Sequence, residues 1–104
     1  MAGLGKFLKQ AQKMQEQVQR VQEELAQREV EGSAGGGAVK AVARCDGSVV
    51  SIKIDQKVVD SSDVEMLEDL VLGAVTNALE VAKKTQSDEM AKVTAAFNVP
   101  GTNL

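Results

Sequence analysis

Residues 4–28 read LGKFLKQAQKMQEQVQRVQEELAQR. Leu4, Phe7, Ala11, Met14, Val18, Val21 and Leu25 alternate between the a and d positions of unbroken heptads, the mark of a helix with one narrow apolar seam. Nearly all residues between them are Gln, Glu, Lys or Arg, which are good helix formers. The spacing predicts a helix over 4–28, ~36 Å long at the usual rise per residue. A compact chain of 104 residues has a radius of gyration of only ~13 Å. One protomer therefore cannot cover the whole seam. The simplest burial is against a second helix, from the same chain, a partner, or both.

Downstream of this helix the period changes to two. Glu29–Ala34 reads as a short edge strand, and Gly35-Gly36-Gly37 breaks it. Val39, Ala41, Ala43 and Cys45 then alternate with Lys40, Val42 and Arg44. Asp46-Gly47 is a two-residue hairpin signal. Val50, Ile52 and Ile54 follow, alternating with Ser51, Lys53 and Asp55. Residues 29–55 thus form a three-stranded meander whose apolar face needs a helix or a second sheet over it. Ser62-Asp63-Val64-Glu65 has the pattern of a capping box, which starts a helix at Asp63. Leu67, Leu70, Val71, Ala74, Ala78, Val81 and Ala82 give that helix a wide apolar face, and Gly73 within it suggests a close backbone approach. The helix is expected over 63–97, either continuous or broken near 85–89, where the pattern weakens. Pro100-Gly101 ends it and leaves a frayed tail over 98–104. The fold class is α+β: one domain over residues 1–104, in the order α-β-β-β-α, with a three-stranded antiparallel sheet and long terminal helices, dimeric.

Composition excludes several chemistries. There is no His, no Trp and no Tyr, with two Phe and one Cys. No imidazole acid/base pair and no His-containing zinc site can be built. One Cys makes neither a disulfide framework nor a four-cysteine metal site. Two aromatic residues make no stacking platform for single-stranded nucleic acid. The longest apolar run, Leu70–Val75, is far too short to span a membrane. The N-terminal residues carry no apolar h-region, so the expectation is a cytoplasmic protein with a reduced thiol.

Three clusters invite a chemical reading. The run Gly32-Ser33-Ala34-Gly35-Gly36-Gly37 lacks the Lys-Ser/Thr and following helix of a phosphate loop, and reads as a hairpin loop. Asp60, Asp63, Glu65, Glu68 and Asp69 fan around a helix start and show no calcium-loop spacing. Cys45 continues the apolar alternation of its strand and reads as a buried hydrophobe. No Ser has a general base beside it, so no enzyme, cofactor, metal or small-molecule substrate is expected.

The charge layout says more. The chain totals −3, yet residues 1–20 hold four cations against one acid, a net of +3, and the remaining 84 residues are net −6. Lys6, Lys13 and Arg20 share heptad position c, with Lys9 beside them, on the side away from the a/d seam. A solvated coiled-coil face explains this stripe; so does a surface that tracks phosphates. On the residues alone the solvated face comes first.

Five ordered blocks change that order. Lys9–Glu16, Gln22–Leu25, Ala34–Gly37 before Val39-Lys40, Ile52–Asp55 and Glu65–Leu70 together resemble the YbaB/EbfC family of bacterial nucleoid-associated proteins. The resemblance spans about Lys6 to Phe97. It implies an α-β-β-β-α homodimer with protruding helices that binds double-stranded DNA in the cytoplasm, at the nucleoid, without enzymatic activity. It also implies DNA contact from the terminal helices: here Lys6, Lys9, Lys13 and Arg20, with Lys83, Lys84 and Lys92 as second-rank candidates. The alternative is a coiled-coil scaffold, or a prefoldin-like holder without DNA binding, built on the same helices.

Overall fold

The computed structural model describes residues 2–97. The expected tail over 98–104 lies outside them. Helix α1 spans Ala2–Gln27, strands β1, β2 and β3 span Glu29–Ala34, Val39–Arg44 and Val49–Ile54, and helix α2 spans Val64–Phe97. The order is the α-β-β-β-α expected. The sheet is an antiparallel meander in the order β1-β2-β3.

Turn chemistry sets the two hairpins. Gly35, Gly36 and Gly37 between β1 and β2 all have positive φ, at 62°, 67° and 94°, a conformation that side chains resist. Between β2 and β3, Gly47 sits at φ 95°. Beside it the Asp46 carboxylate accepts from Ser48 Oγ at 2.6 Å and Ser48 N at 2.9 Å. Asp60 makes the same pair of bonds with Ser62 before α2. The Ser hydroxyl, then the backbone N–H, holds each carboxyl below its usual range. A lowered folded-state pKa favours the fold at neutral pH, and that contribution fades as pH falls through the folded value.

Helix α2 starts one residue later than the capping box suggested. Its N-cap is Asp63, whose Oδ1 accepts from Met66 N at 3.2 Å, while Ser62 is taken up by Asp60. Of the two alternatives at 85–89 the structure has the continuous one: α2 runs unbroken for 34 residues. Lys84 pairs with Asp88 one turn on, at 3.1 Å. Met90, Val93 and Phe97 bury themselves against α1. Tertiary packing here outweighs a weak local pattern.

Two apolar clusters hold the elements together. In the first, Val39, Ala41 and Ala43 of β2 face Ala74 and Ala78 of α2. Small side chains let the helix lie close on the sheet. The closest approach is at Gly32 in β1, where a Cβ would come within 2.6 Å of Ala78 Cα and 2.7 Å of Ala74 O. Beside it, Ser33 N donates to Asn77 Oδ1 at 3.0 Å, which ties the edge strand to the helix. Gly73 is the milder contact: a Cβ there would meet only the Ala34 Cβ, at 3.3 Å. In the second cluster Val21 and Leu25 of α1 meet Cys45 and Val93, flanked by Val18, Met90 and Phe97. Cys45 is buried there, as its place in the strand alternation implied.

These contacts run α1 antiparallel along the last turns of α2, with Arg28 paired to Glu89 at 3.5 Å. From that level α1 extends one way to Leu4 and α2 the other way to Val64. Each leg is about 36 Å at the helical rise, and together they account for the 74 Å long axis of a molecule only 25 Å by 16 Å across. The protein is a rod, with a basic end at α1 and an acidic end at the start of α2.

Gly32→Ala is expected to lower stability by about 1–3 kcal/mol, because helix or strand backbone must move aside. Gly73→Ala is expected to be near neutral, since the helical gain of about 1 kcal/mol from Gly to Ala offsets a tight but yielding contact. Urea melts of the two variants check the contrast.

Candidate nucleic-acid interface

Lys6, Lys9, Lys13 and Arg20 are all exposed. At 3.6 residues per turn they fall within an arc of about 60° and run about 21 Å along α1. The apolar seam lies on the opposite side of the same helix. The stripe therefore points away from α2, because the seam is what α2 touches. Phe97, the last described residue of α2, packs against the cluster that Val21 and Leu25 of α1 help form, as Val18 does, so the first three turns of α1 project past it. Three of the four cations, Lys6, Lys9 and Lys13, stand on this projecting arm.

The stripe is not neutralised locally. The ion pairs among the described residues are Arg28–Glu89, Lys84–Asp88 and Lys92–Glu89; none includes a stripe residue. Arg20 Nη1 makes one long contact of 3.4 Å to Gln17 Oε1. Four cations held on one side of one helix, with no acid between them except Glu16, give a local positive field on a protein of negative total charge.

The second-rank residues are arranged differently. Lys83, Lys84 and Lys92 are exposed but spread over roughly half a turn around α2. Lys84 and Lys92 each lie 3.1 Å from a carboxylate. The structure does not gather the seven cations into one surface; it gathers four.

A further set went unnoticed in the sequence. In the β2–β3 ladder Lys40 stands directly opposite Lys53, on the sheet face away from α2, and Arg44 shares that face. Like charges placed opposite each other are unfavourable. The alternation of Lys40, Val42 and Arg44 against the buried Val39, Ala41 and Ala43 was the available signal. Glu29, opposite Arg44, and Glu31 lie on the same face through β1, so the patch is mixed where the α1 stripe is not.

The acidic end holds a shallow groove of about 380 Å³ lined by Asp63, Glu65, Met66, Asp69 and Leu70. Among the described residues no three carboxylate or thiol side chains converge as a metal ion requires, and no helix is long and apolar enough to cross a membrane.

The fold is a three-stranded sheet under one long helix, with a second helix carried beyond it as a basic arm. The chain belongs to the YbaB/EbfC DNA-binding family, whose model matches residues 1–97. A nucleoid-associated protein of Caldanaerobacter subterraneus subsp. tengcongensis is 54% identical over 98 residues, covering 94% of this chain and 88% of its own. One of Moorella thermoacetica is 52% identical over 101 residues, covering 97% of both. The crystal structure of an uncharacterised protein from Helicobacter pylori shares the fold, with a TM-score of 0.66 at 19% identity over 94% of each chain.

Charge removal is expected to separate the two sets. Lys9→Gln should weaken duplex binding and lower its salt slope by about 0.9, the share of one phosphate contact. Lys84→Gln should change binding less, since its charge is already offset by Asp88. It should also cost at most about 0.5 kcal/mol of stability, as an exposed helical ion pair does. Fluorescence anisotropy across a salt series reads both.

Proposed function

We propose that the protein is a homodimeric double-stranded-DNA-binding protein of the bacterial nucleoid, in the cytoplasm, which holds the phosphate backbone through Lys6, Lys9, Lys13 and Arg20. The observation that carries this reading is the cationic stripe of α1, which makes no ion pair among the described residues and has three of its four cations on the projecting arm. Lysines on one helix face act as point charges toward phosphate, and such contacts position a duplex without reading its sequence. The negative total charge limits long-range attraction, so affinity should be modest and steeply dependent on salt. The membership in a DNA-binding family and the names of its relatives support the duplex as partner. The reading needs no catalytic step, cofactor, metal or small-molecule substrate. Lys83, Lys84 and Lys92 serve as secondary contacts at most.

The dimer is supported by the sheet. Val49, Ile52 and Ile54 pair with Ala43, Ala41 and Val39, so they share the face that α2 covers over β1 and β2. Over β3 the helix gives no such cover, and these residues stay 40–45% exposed. Leu72 of α2 is a further exposed apolar residue, at 66%. A row of β-branched residues on an open edge strand is a liability unless something covers it. A second copy meeting this face about a two-fold axis covers both rows at once.

A scaffold without DNA binding is the rival, and one observation favours it: Leu4, Phe7 and Leu8 on the apolar side of the α1 arm are exposed. A salt titration separates the two, because a scaffold has no reason to bind duplex with a salt slope. The variant with Lys6, Lys9, Lys13 and Arg20 all changed to Gln should stay helical and dimeric. It should lose about 0.9 of slope for each phosphate contact removed, with equal weakening on all sequences. Unchanged affinity and slope would refute the site. Light scattering of Ile52→Lys should show a shift from dimer toward the 11.0 kDa chain, whereas a wild-type monomer at micromolar concentration would refute the dimer.

A further inference from the structure

The α1 arm has a second face that DNA does not use. Leu4, Phe7 and Leu8 are 61%, 66% and 55% exposed, and with Ala11 they continue the seam that Val18, Val21 and Leu25 bury against α2. The cationic stripe lies about half a turn away around the helix. A duplex on the stripe therefore leaves this seam facing away from the DNA, uncovered.

We propose that the apolar seam of the α1 arm docks against the same seam of a second, DNA-bound copy, antiparallel, so that the pair links two duplexes. This inference rests on the reading of the stripe as a phosphate contact. Four features support a second copy as the occupant. The seam keeps the a/d heptad register of the α1–α2 contact and so is already shaped to receive a helix. In an antiparallel pair Leu4 meets Ala11 and Phe7 meets Leu8, large against small at the ends and large against large at the centre, about a closed two-fold axis. The stripes point outward from such a pair, so the cations do not meet. They end up about 20 Å apart on opposite sides, as two helix diameters require, each with room for its own duplex.

Other occupants fit less well. A bilayer surface would take the apolar face, but the lysines sit opposite it and would point away from the headgroups rather than flank the buried face. The acidic end of another copy, with Asp63, Glu65 and Asp69, complements the stripe and not the seam, and would compete with DNA.

The contact is small. Three large side chains per arm bury only a few hundred Å², well below the ~1,200 Å² of a standard stable interface. It should be sparse in free protein and become populated when DNA holds many copies together, since tethering raises effective concentration.

The test is a two-duplex capture. One duplex is fixed on beads, a second carries a fluorophore, and the full-length protein is added at concentrations that saturate a single duplex by anisotropy. Wild-type protein should retain the second duplex. The variant Leu4→Gln, Phe7→Gln, Leu8→Gln should stay dimeric and bind a single duplex as before, yet retain about tenfold less of the second, the scale of avidity lost with one linkage. Phe7→Ala, a milder change to an exposed residue, should fall between them. If the variant captures as well as wild type, or if wild type binds one duplex and never captures a second, the proposal is overturned while the DNA-binding reading stands. If the variant loses its dimer or its single-duplex affinity, the seam serves the base dimer or the DNA itself, and the proposal is again overturned. Failure of wild type to bind any duplex strikes the underlying reading instead.

Discussion

The antiparallel contact of α1 on the last turns of α2 is the constraint from which the rest follows. Val21, Leu25, Val93 and Cys45 are buried together there, and Arg28 meets Glu89 at the edge. That contact begins near the C-terminal end of α1. The heptad seam is longer than the described part of α2 that receives it, so among the described residues nothing covers the first turns of α1. A rod 74 Å long with a basic arm at one end is the geometric result.

The sheet and α2 act as a mount for this arm. Gly32 and the alanines of β2 and α2 bring helix and sheet backbones close, so little volume separates the strands from the helix that positions α1. The cost of such small residues is a narrow core. It covers β1 and β2 and leaves the apolar face of β3 open. Val49, Ile52 and Ile54 form an exposed apolar row there, the kind of surface that marks an interaction site. In the proposed dimer a second copy covers that face, and with it comes a second arm.

Much of this architecture was legible from residues. The a/d spacing of α1, the period-two meander, the Asp46-Gly47 hairpin and the wide face of α2 each gave their element, because each depends on local pattern. What was not legible depended on tertiary contact. The segment Thr85–Asp88 has weak helical pattern, yet α1 packing just beyond it keeps α2 continuous. Ser62 and Asp63 are both good N-caps, and the Asp60 turn decides between them by taking Ser62. Gly73 drew attention as a glycine in a helix, while the glycine that the packing needs is Gly32, on a strand facing it. In the candidate site, the stripe of Lys6, Lys9, Lys13 and Arg20 was visible in the heptad frame. The pairing of Lys84 and Lys92 with Asp88 and Glu89 depends on side-chain positions along α2. Lys40 facing Lys53 was missed, because strand register is invisible until the strands are paired.

The most direct test of the account is lysine footprinting: acetylation of the native protein with and without saturating duplex DNA, read by mass spectrometry at each lysine. Lys6, Lys9 and Lys13 should be strongly protected by DNA, with Lys83 and Lys84 little changed. Protection confined to Lys40 and Lys53, or to Lys83, Lys84 and Lys92, with the three lysines of the arm still reactive, would place the duplex elsewhere and contradict the assignment of α1 as the DNA-contacting arm.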